Sequence, residues 1–387
     1  MLSSGIKSVI FARYRNFAVK HFIKNGTRPD MQRFWFAIAL LILTLGAPTL
    51  VEAQADISAR GANLRIGGRL HAQYWSSSMG GSDSDFFLRR ARIIVDADIT
   101  DFVAARVQAD FASGRATLLD AYVRLNFSDG FGLSFGQFKR AFDLFELSSS
   151  TDLSLVERTG TVVGYDTCTG VGRLCSYSRM TEGLLYSNRD TGIKFDGSLG
   201  RFGYLATITN GTRPAVRDVN DAKSYAGRVT YMATDNIQVG VNAAAKDYLD
   251  PGDATVFAYA WGADVQVGTW RDGWLLQGSF VAGDNWKSLD AVTVPGKYIA
   301  NDFVTSQIAA SYYLPLSNKR IVGIEPVGRI SATDPAKTVD ADGGLLLTPG
   351  MMFYFLGKNK IGFNYDYYDP AIGDPVSTFR IATLLYF

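Results

Sequence analysis

The segment Leu64-Arg65-Ile66-Gly67-Gly68-Arg69-Leu70-His71-Ala72-Gln73-Tyr74 changes character at every step. Leu64, Ile66, Gly68, Leu70, Ala72 and Tyr74 share one side, and Arg65, Gly67, Arg69, His71 and Gln73 share the other. Successive side chains of an extended chain point to opposite faces, so this period of two specifies a β-strand with one apolar and one polar face. The alternation recurs in the segments that follow. Ala91, Ile93, Val95, Ala97 and Ile99 lie opposite Arg90, Arg92, Ile94, Asp96 and Asp98. Val103, Ala105, Val107, Ala109 and Phe111 lie opposite Ala104, Arg106, Gln108 and Asp110. Leu119, Ala121, Val123, Leu125 and Phe127 lie opposite Asp120, Tyr122, Arg124 and Asn126. Further segments at 131–138, 190–199, 202–210, 223–233, 237–247, 256–267, 273–283, 302–314, 320–332, 344–356, 360–368 and 376–387 bring the number of strands to about sixteen. Beyond Gln54 no segment keeps apolar residues at helical spacing over three turns.

Upstream the sequence is of another kind. Phe34 to Val51 is the longest apolar run, and its core, Phe34–Leu45, is about 12 residues, short of the ~20 that cross a bilayer as a helix. Arg33 precedes the run, and Val51-Glu52-Ala53-Gln54-Ala55 follows it. A cation, a short apolar stretch and a small-residue boundary describe a secretory signal peptide, cut after Ala53 or Ala55. Residues 1–53 therefore read as leader, with Met31 an alternative start, and 54–387 as one β-domain. Without the leader 32 cationic and 35 anionic side chains remain, so the formal charge goes from +2 to −3. The basic balance belongs to the leader, and no nucleic-acid partner is expected.

Strands with one apolar and one polar face fit two architectures. A sandwich buries the apolar face between sheets, whereas a membrane barrel turns it toward lipid and keeps polar groups inside. Export favours the barrel. So do aromatic residues near strand ends, among them Trp75, Phe102, Phe127, Trp270, Trp274 and Tyr312, and a final strand, Phe379–Phe387, that ends on an aromatic residue. The expected fold is all-β, a transmembrane antiparallel β-barrel of about 16 strands among the lipids of the bacterial outer membrane. The irregular stretch from about Arg140 to Asn188 is too long for an ordinary connection.

The residue inventory argues against catalysis. The chain has two His and two Cys, and once the leader is gone His71 stands alone. One His builds no two-His metal site, and no recognisable partner motif gives it a triad. No enzyme activity, cofactor or metal is expected. A non-channel barrel, an adhesin or a barrel enzyme, is the alternative; most connections are short for an adhesin. Cys168 and Cys175 lie in the long connection and are expected to form a disulfide in an oxidising compartment.

Seven words in order carry a resemblance. They are Ile66–Tyr74, Phe87-Leu88-Arg89-Arg90-Ala91-Arg92, Asp120-Ala121-Tyr122-Val123-Arg124 and Gly136-Gln137-Phe138-Lys139-Arg140-Ala141-Phe142, then Glu146-Leu147-Ser148-Ser149-Ser150 running to Val156-Glu157-Arg158, Arg189-Asp190-Thr191-Gly192-Ile193 and Asn210-Gly211. Together they resemble the phosphate-selective porin O and P family. The resemblance implies a homotrimeric porin whose third loop, here Phe142–Arg158 or a little more, folds inward to narrow the pore. It also implies anions drawn along arginines, including the adjacent pair matching Arg89 and Arg90. The terminal Phe387 looks like the signal that outer-membrane assembly machinery reads. Two features depart from the family's best-studied members. Ser76 replaces a further arginine, and 201–232 holds only Arg201, Arg213, Arg217 and Arg228 where they carry a dense cluster.

A passive pore needs wall charges rather than a nucleophile. With the polar faces as lumen, Arg65, Arg69, Arg90, Arg92, Arg106, Arg124, Lys194, Arg228, Lys246, Arg329 and Arg380 oppose Asp96, Asp98, Asp110, Asp120, Asp196, Asp264, Glu325 and Asp366. The cationic excess is three, and most of these residues are expected to form cross-strand ion pairs that rigidify the wall. The residues expected to line the pore or meet solute are Arg65, Arg69, Arg89, Arg90, Arg92, Arg106, Arg124, Lys139, Arg140 and Arg158. Arg89 falls on the apolar face with Ala91 and Ile93, which places it at a strand end or a subunit contact; His71 reads as a wall residue. The expected function is a water-filled porin for small hydrophilic solutes and ions, with weak preference for anions such as phosphate. The signal-peptide reading predicts a mature chain beginning at Gln54 or Asp56. Intact mass of protein taken from outer membranes checks this, and a species that keeps residues 31–53 contradicts it.

Overall fold

Each alternating segment becomes a strand. The computed structural model describes residues 55–59, 61–79, 84–160, 174–293 and 296–387; the leader and Cys168 lie outside the described residues. Among the described residues the strands are β1 (Ala55–Ala59), β2 (Ala62–Ser77), β3 (Ser84–Asp98), β4 (Val103–Asp110), β5 (Thr117–Ser128), β6 (Phe131–Lys139), β7 (Arg189–Leu199), β8 (Phe202–Thr209) and β9 (Ser224–Thr234). They continue as β10 (Ile237–Leu249), β11 (Thr255–Thr269), β12 (Asp272–Ala291), β13 (Tyr298–Tyr312), β14 (Leu314–Pro315), β15 (Gly323–Asp334), β16 (Gly344–Tyr354), β17 (Lys360–Pro370) and β18 (Val376–Tyr386). Apart from β1 and the two-residue β14, they are the sixteen staves of a closed antiparallel barrel. Each stave pairs with the next, and β18 closes on β2, with Thr378 opposite Ser77 and Tyr386 opposite Arg69. Closure leaves no open edge, which is what a sheet in lipid requires.

The two ends of the barrel differ. At one end two-residue turns join β5 to β6, β7 to β8, β9 to β10 and β11 to β12. Gly200 and Arg271 adopt the left-handed conformation there, at φ 61° and 63°, as tight turns between twisted strands demand. The other end carries the longer connections, including 140–188 and 210–223.

Burial is inverted relative to a water-soluble protein. His71, Gln73, Asn242, Gln307 and Thr348 are buried, while Leu70, Val241, Trp261 and Ile308 are exposed. The outer face is therefore an apolar band for lipid, and the polar face looks inward.

The 140–188 connection, hereafter the inner loop, enters the barrel. It contains two short helices, α1 (Leu144–Leu147) and α2 (Tyr177–Gly183). The Asp143 side chain caps α1 by accepting from the Phe145 amide at 2.9 Å, and it also accepts from Tyr177 Oη at 2.9 Å and Thr181 Oγ1 at 3.0 Å. Phe142, Phe145, Tyr177, Met180, Leu184 and Tyr186 pack against Ala226, Ala244, Ala258, Ala260, Val281, Phe303 and Ala309 of β9–β13. Alanines on the inner wall leave the recess that the aromatic residues fill. The first half of β11 consequently has two apolar faces, with Phe257, Tyr259 and Trp261 outward and Ala258 and Ala260 inward, whereas Asp264 keeps the inward face of its second half polar.

The seam between β2 and β18 shows how closely the termini fit. β3 occupies one edge of β2, so β18 and β1 share the other, with Ala55 opposite Ile66. Between them Gly68 donates its amide to the Phe387 carbonyl at 2.7 Å. A Cβ on Gly68 would lie 2.4 Å from Phe387 Cζ, so only glycine seats the terminal ring. Gly68→Val is expected to cost roughly 1–3 kcal/mol by overpacking this seat. A lowered thermal unfolding midpoint in detergent checks this; a midpoint equal to the wild type's contradicts it.

Candidate functional site

The inner loop divides the lumen. Arg329 on β15 donates to the carbonyls of Glu157 at 3.0 Å and Arg158 at 2.6 Å, and Arg380 on β18 donates to the Gly160 carbonyl at 2.9 Å. Asp366 on β17 accepts from both guanidiniums, at 3.0 and 2.8 Å, and so aims them at the loop. Asn364 accepts from the Val156 amide at 2.6 Å, Ser154 donates to Glu325 at 2.8 Å, and Ser331 accepts from the Tyr177 amide at 2.8 Å. The loop is thus fastened along the wall from β9 through β18 to β3. Along β4 to β8 the described residues of the loop bond the wall only near the loop's roots, where Lys139 donates to the Ser148 carbonyl at 3.2 Å and Thr207 accepts from the Ala141 amide at 3.2 Å, and the wall between is open.

Between that open wall and the loop lies a cavity of about 250 Å³. Its lining carries Arg69, Arg90, Arg92, Arg106, Lys139, Arg158, Arg189 and Lys194 against a single carboxylate, Asp120. Tyr122, Ser149 and Ser150 complete much of the remaining surface.

Most of these cations have a carboxylate beside them. Arg92 donates to Asp110 at 2.6 Å, Arg106 to Asp96 at 2.6 and 2.9 Å, and Arg189 to Asp120 at 2.7 and 3.2 Å. Arg158 donates to Glu146 at 3.2 Å and to the Ser148 carbonyl at 2.8 Å. Lys139 Nζ lies 3.9 Å from Glu146. Arg69 instead donates to Ser150 Oγ, and Lys194 sits over the rings of Tyr122 and Phe138 at 4.7 and 5.4 Å. Among the described residues, these two have no carboxylate at ion-pair distance. Toward the tight-turn end a second cavity is lined by Arg124 and Arg228 against Asp129 and Asp196, so its charges balance; Arg124 pairs with Asp196, and Arg228 with Asp264 behind it.

The expected pore residues divide accordingly. Arg69, Arg90, Arg92, Arg106, Lys139 and Arg158 meet at the first cavity. Arg124 lines the cavity below, and Arg65 pairs with Asp98 nearer the turns. Arg140 does not reach the opening. Only 3% exposed, it bonds Asp190 and donates to the Thr212 carbonyl at 3.1 Å, fixing the root of the inner loop to the 210–223 connection.

Arg89 departs from the simple alternation. His71 pairs with Arg90 but Ala72 pairs with Leu88, so Arg89 is the extra residue of a β-bulge. Two consecutive side chains then turn inward. Arg89 Nε and Nη2 donate to the two carboxylate oxygens of Glu157 at 2.8 and 3.2 Å, and Gln73 Nε2 donates to the same group. Arg90 Nη2 lies 3.8 Å from Glu157, and its Nη1 is 3.1 Å from His71 Nδ1. A guanidinium only donates, so Nδ1 accepts and the His71 ring is neutral, with its proton on Nε2. Burial opposes ionisation of Glu157, but Arg89 and then Arg90 hold its carboxyl down to about 2.

Glu157 and Arg189 escaped the sequence reading as site residues; their only signal was membership of two of the resembling words. Cys175 is disulfide-bonded.

A family described as phosphate-selective porin O and P matches residues 64–302. No curated protein matches the chain significantly by sequence. Solved structures with a similar fold include the outer-membrane channel DcaP of Acinetobacter baumannii, at 12% identity and TM-score 0.61 over 86% of this chain and 100% of that one. An anion-selective porin from Comamonas acidovorans aligns at 12% identity and TM-score 0.59, covering 84% and 100%. OmpT of Vibrio cholerae, in a trimer form, aligns at 13% identity and TM-score 0.57, covering 84% and 100%. With the family match spanning well over half its length and an inside-out barrel narrowed by its own loop, the chain belongs to the phosphate-selective porin O and P family and forms a channel of the bacterial outer membrane.

Proposed function

We propose that the channel passes small hydrophilic solutes by diffusion and favours anions weakly, phosphate among them, and that it works as a homotrimer. The observation that carries the anion preference is the constriction, where cations dominate the lining and Arg69 and Lys194 stand without a carboxylate partner. Uncompensated charge in a narrow passage between low-dielectric walls raises the local concentration of the opposite ion. The preference is weak because the other cations are largely neutralised by Asp96, Asp110, Asp120, Glu146 and Glu157. The Comamonas porin is anion-selective by description and OmpT has a trimer form, which supports both halves of the proposal by analogy of fold.

Reversal potentials in planar bilayers across a KCl gradient test the preference. The wild type should favour chloride, most strongly in dilute salt, because the screening length falls from ~10 Å at 0.1 M to ~3 Å at 1 M. Arg69→Ala combined with Lys194→Ala should move the potential toward potassium. Lys223→Ala, just outside β9 and paired with Asp218 at 2.6 Å, should not. A wild type that favours potassium, or a double variant identical to it, contradicts the proposal. The mass of unheated, detergent-solubilised protein should be that of three chains.

A further inference from the structure

Glu157 occupies an unusual position. Its carboxylate, 1% exposed, is the common acceptor for Arg89, Gln73 and Arg90. These donors converge as they would on a bound carboxylate or phosphate, and the Arg89 fork is bidentate. We propose that Glu157 determines the selectivity of the pore, acting as a tethered ligand that fills an anion site built by Gln73, Arg89 and Arg90 and masks it from permeating ions. The proposal rests on the anion-channel reading above and names what limits that preference.

The charges at the site support it. Two guanidiniums face one carboxylate, so the pocket keeps a net positive charge even when filled. His71, which faces Arg90, is neutral and supplies none to balance it. Among the described residues, buried Arg90 Nε has no hydrogen-bond partner, nor has His71 Nε2. Arg90 also lines the constriction, so a site vacated by Glu157 would open onto the permeation path. The mask is constant, because a carboxyl held near 2 remains ionised at all milder pH. The backbone around Glu157 has its own anchors in Arg329 and Asn364. Removing the carboxylate should therefore change the charge of the passage and leave the loop in place.

Four proteins in planar bilayers test this: wild type, Glu157→Gln, the double variant Arg89→Gln with Arg90→Gln, and the triple variant. Glu157→Gln should raise the chloride-to-potassium permeability ratio by up to about thirtyfold in dilute KCl, because one unit charge at ~4 Å through water acts on the two ions with opposite signs. The triple variant should gain nothing over the double, because the arginines to be unmasked are gone. An equal gain in both backgrounds would show that Glu157 acts only as a local negative charge, and would overturn the proposal. So would an unchanged ratio, or open-state flicker in Glu157→Gln that the wild type lacks, which would mean a loosened loop. Glu157→Ala gives the same comparison if Glu157→Gln fails to insert. A wild type without conductance overturns the channel reading and the mask with it; a conducting wild type with an inert Glu157→Gln overturns the mask alone.

Discussion

A sheet in lipid cannot leave a backbone N–H or C=O unpaired, because no water is present to satisfy it. The rest of the molecule follows from meeting that requirement at one seam. β18 pairs with β2 from Ser77 down to Arg69, and β1 pairs with β2 from Ile66. Gly67 and Gly68 fall in the gap, where Phe387 closes backbone to backbone and its ring lies over Gly68. The first and last parts of the barrel are thus fitted to one another, and neither forms a lipid-tolerant edge without the other.

Closure creates a polar interior, and the inner loop decides how much of it conducts. On the side of β9–β13 the loop is dry, with aromatic residues seated against alanines. On the side of β15–β18 it is held by polar groups, chief among them Arg329, Asp366 and Arg380. Burying that triad carries a desolvation cost, so its role is better read as position than as stability. Carbonyls of the loop accept from guanidiniums whose direction Asp366 sets, which fixes residues 157–160 against the wall. Between the loop and β2–β8 lies the cation-lined cavity.

The charges of the lumen are arranged in two ways. Cross-strand arginine–aspartate pairs, from Arg65–Asp98 to Arg228–Asp264, stiffen the wall and contribute little net field. Arg69 and Lys194 are held by a hydroxyl and by aromatic rings, which fix them without neutralising them. Position along the lumen then matters more than the total count. The balanced pairs lie toward the turns, and Arg69 and Lys194 line the cavity beside the inner loop.

The sequence by itself determined the strands and their faces. Lipid and lumen act on each residue separately, so the alternation of Leu64–Tyr74 is a local record of a global environment. All sixteen staves were legible in this way, and so were the bounds of the inner loop, since β6 ends at Lys139 and β7 begins at Arg189. The same local logic failed where a contact from afar set the residue. The bulge at Arg89 shifts the phase by one residue and turns an apparently lipid-facing arginine inward. The first half of β11 is apolar on its inward face, at Ala258 and Ala260, because the apolar part of the loop covers it. The pairing of Glu157 with Gln73 joins residues 84 positions apart, and that of Arg189 with Asp120 joins residues 69 apart. Only the tertiary structure decided which charges of the polar faces are spent on one another and which face the passage. Period two assigns a side chain to a face, but ion pairing depends on distances across the lumen that no local pattern encodes.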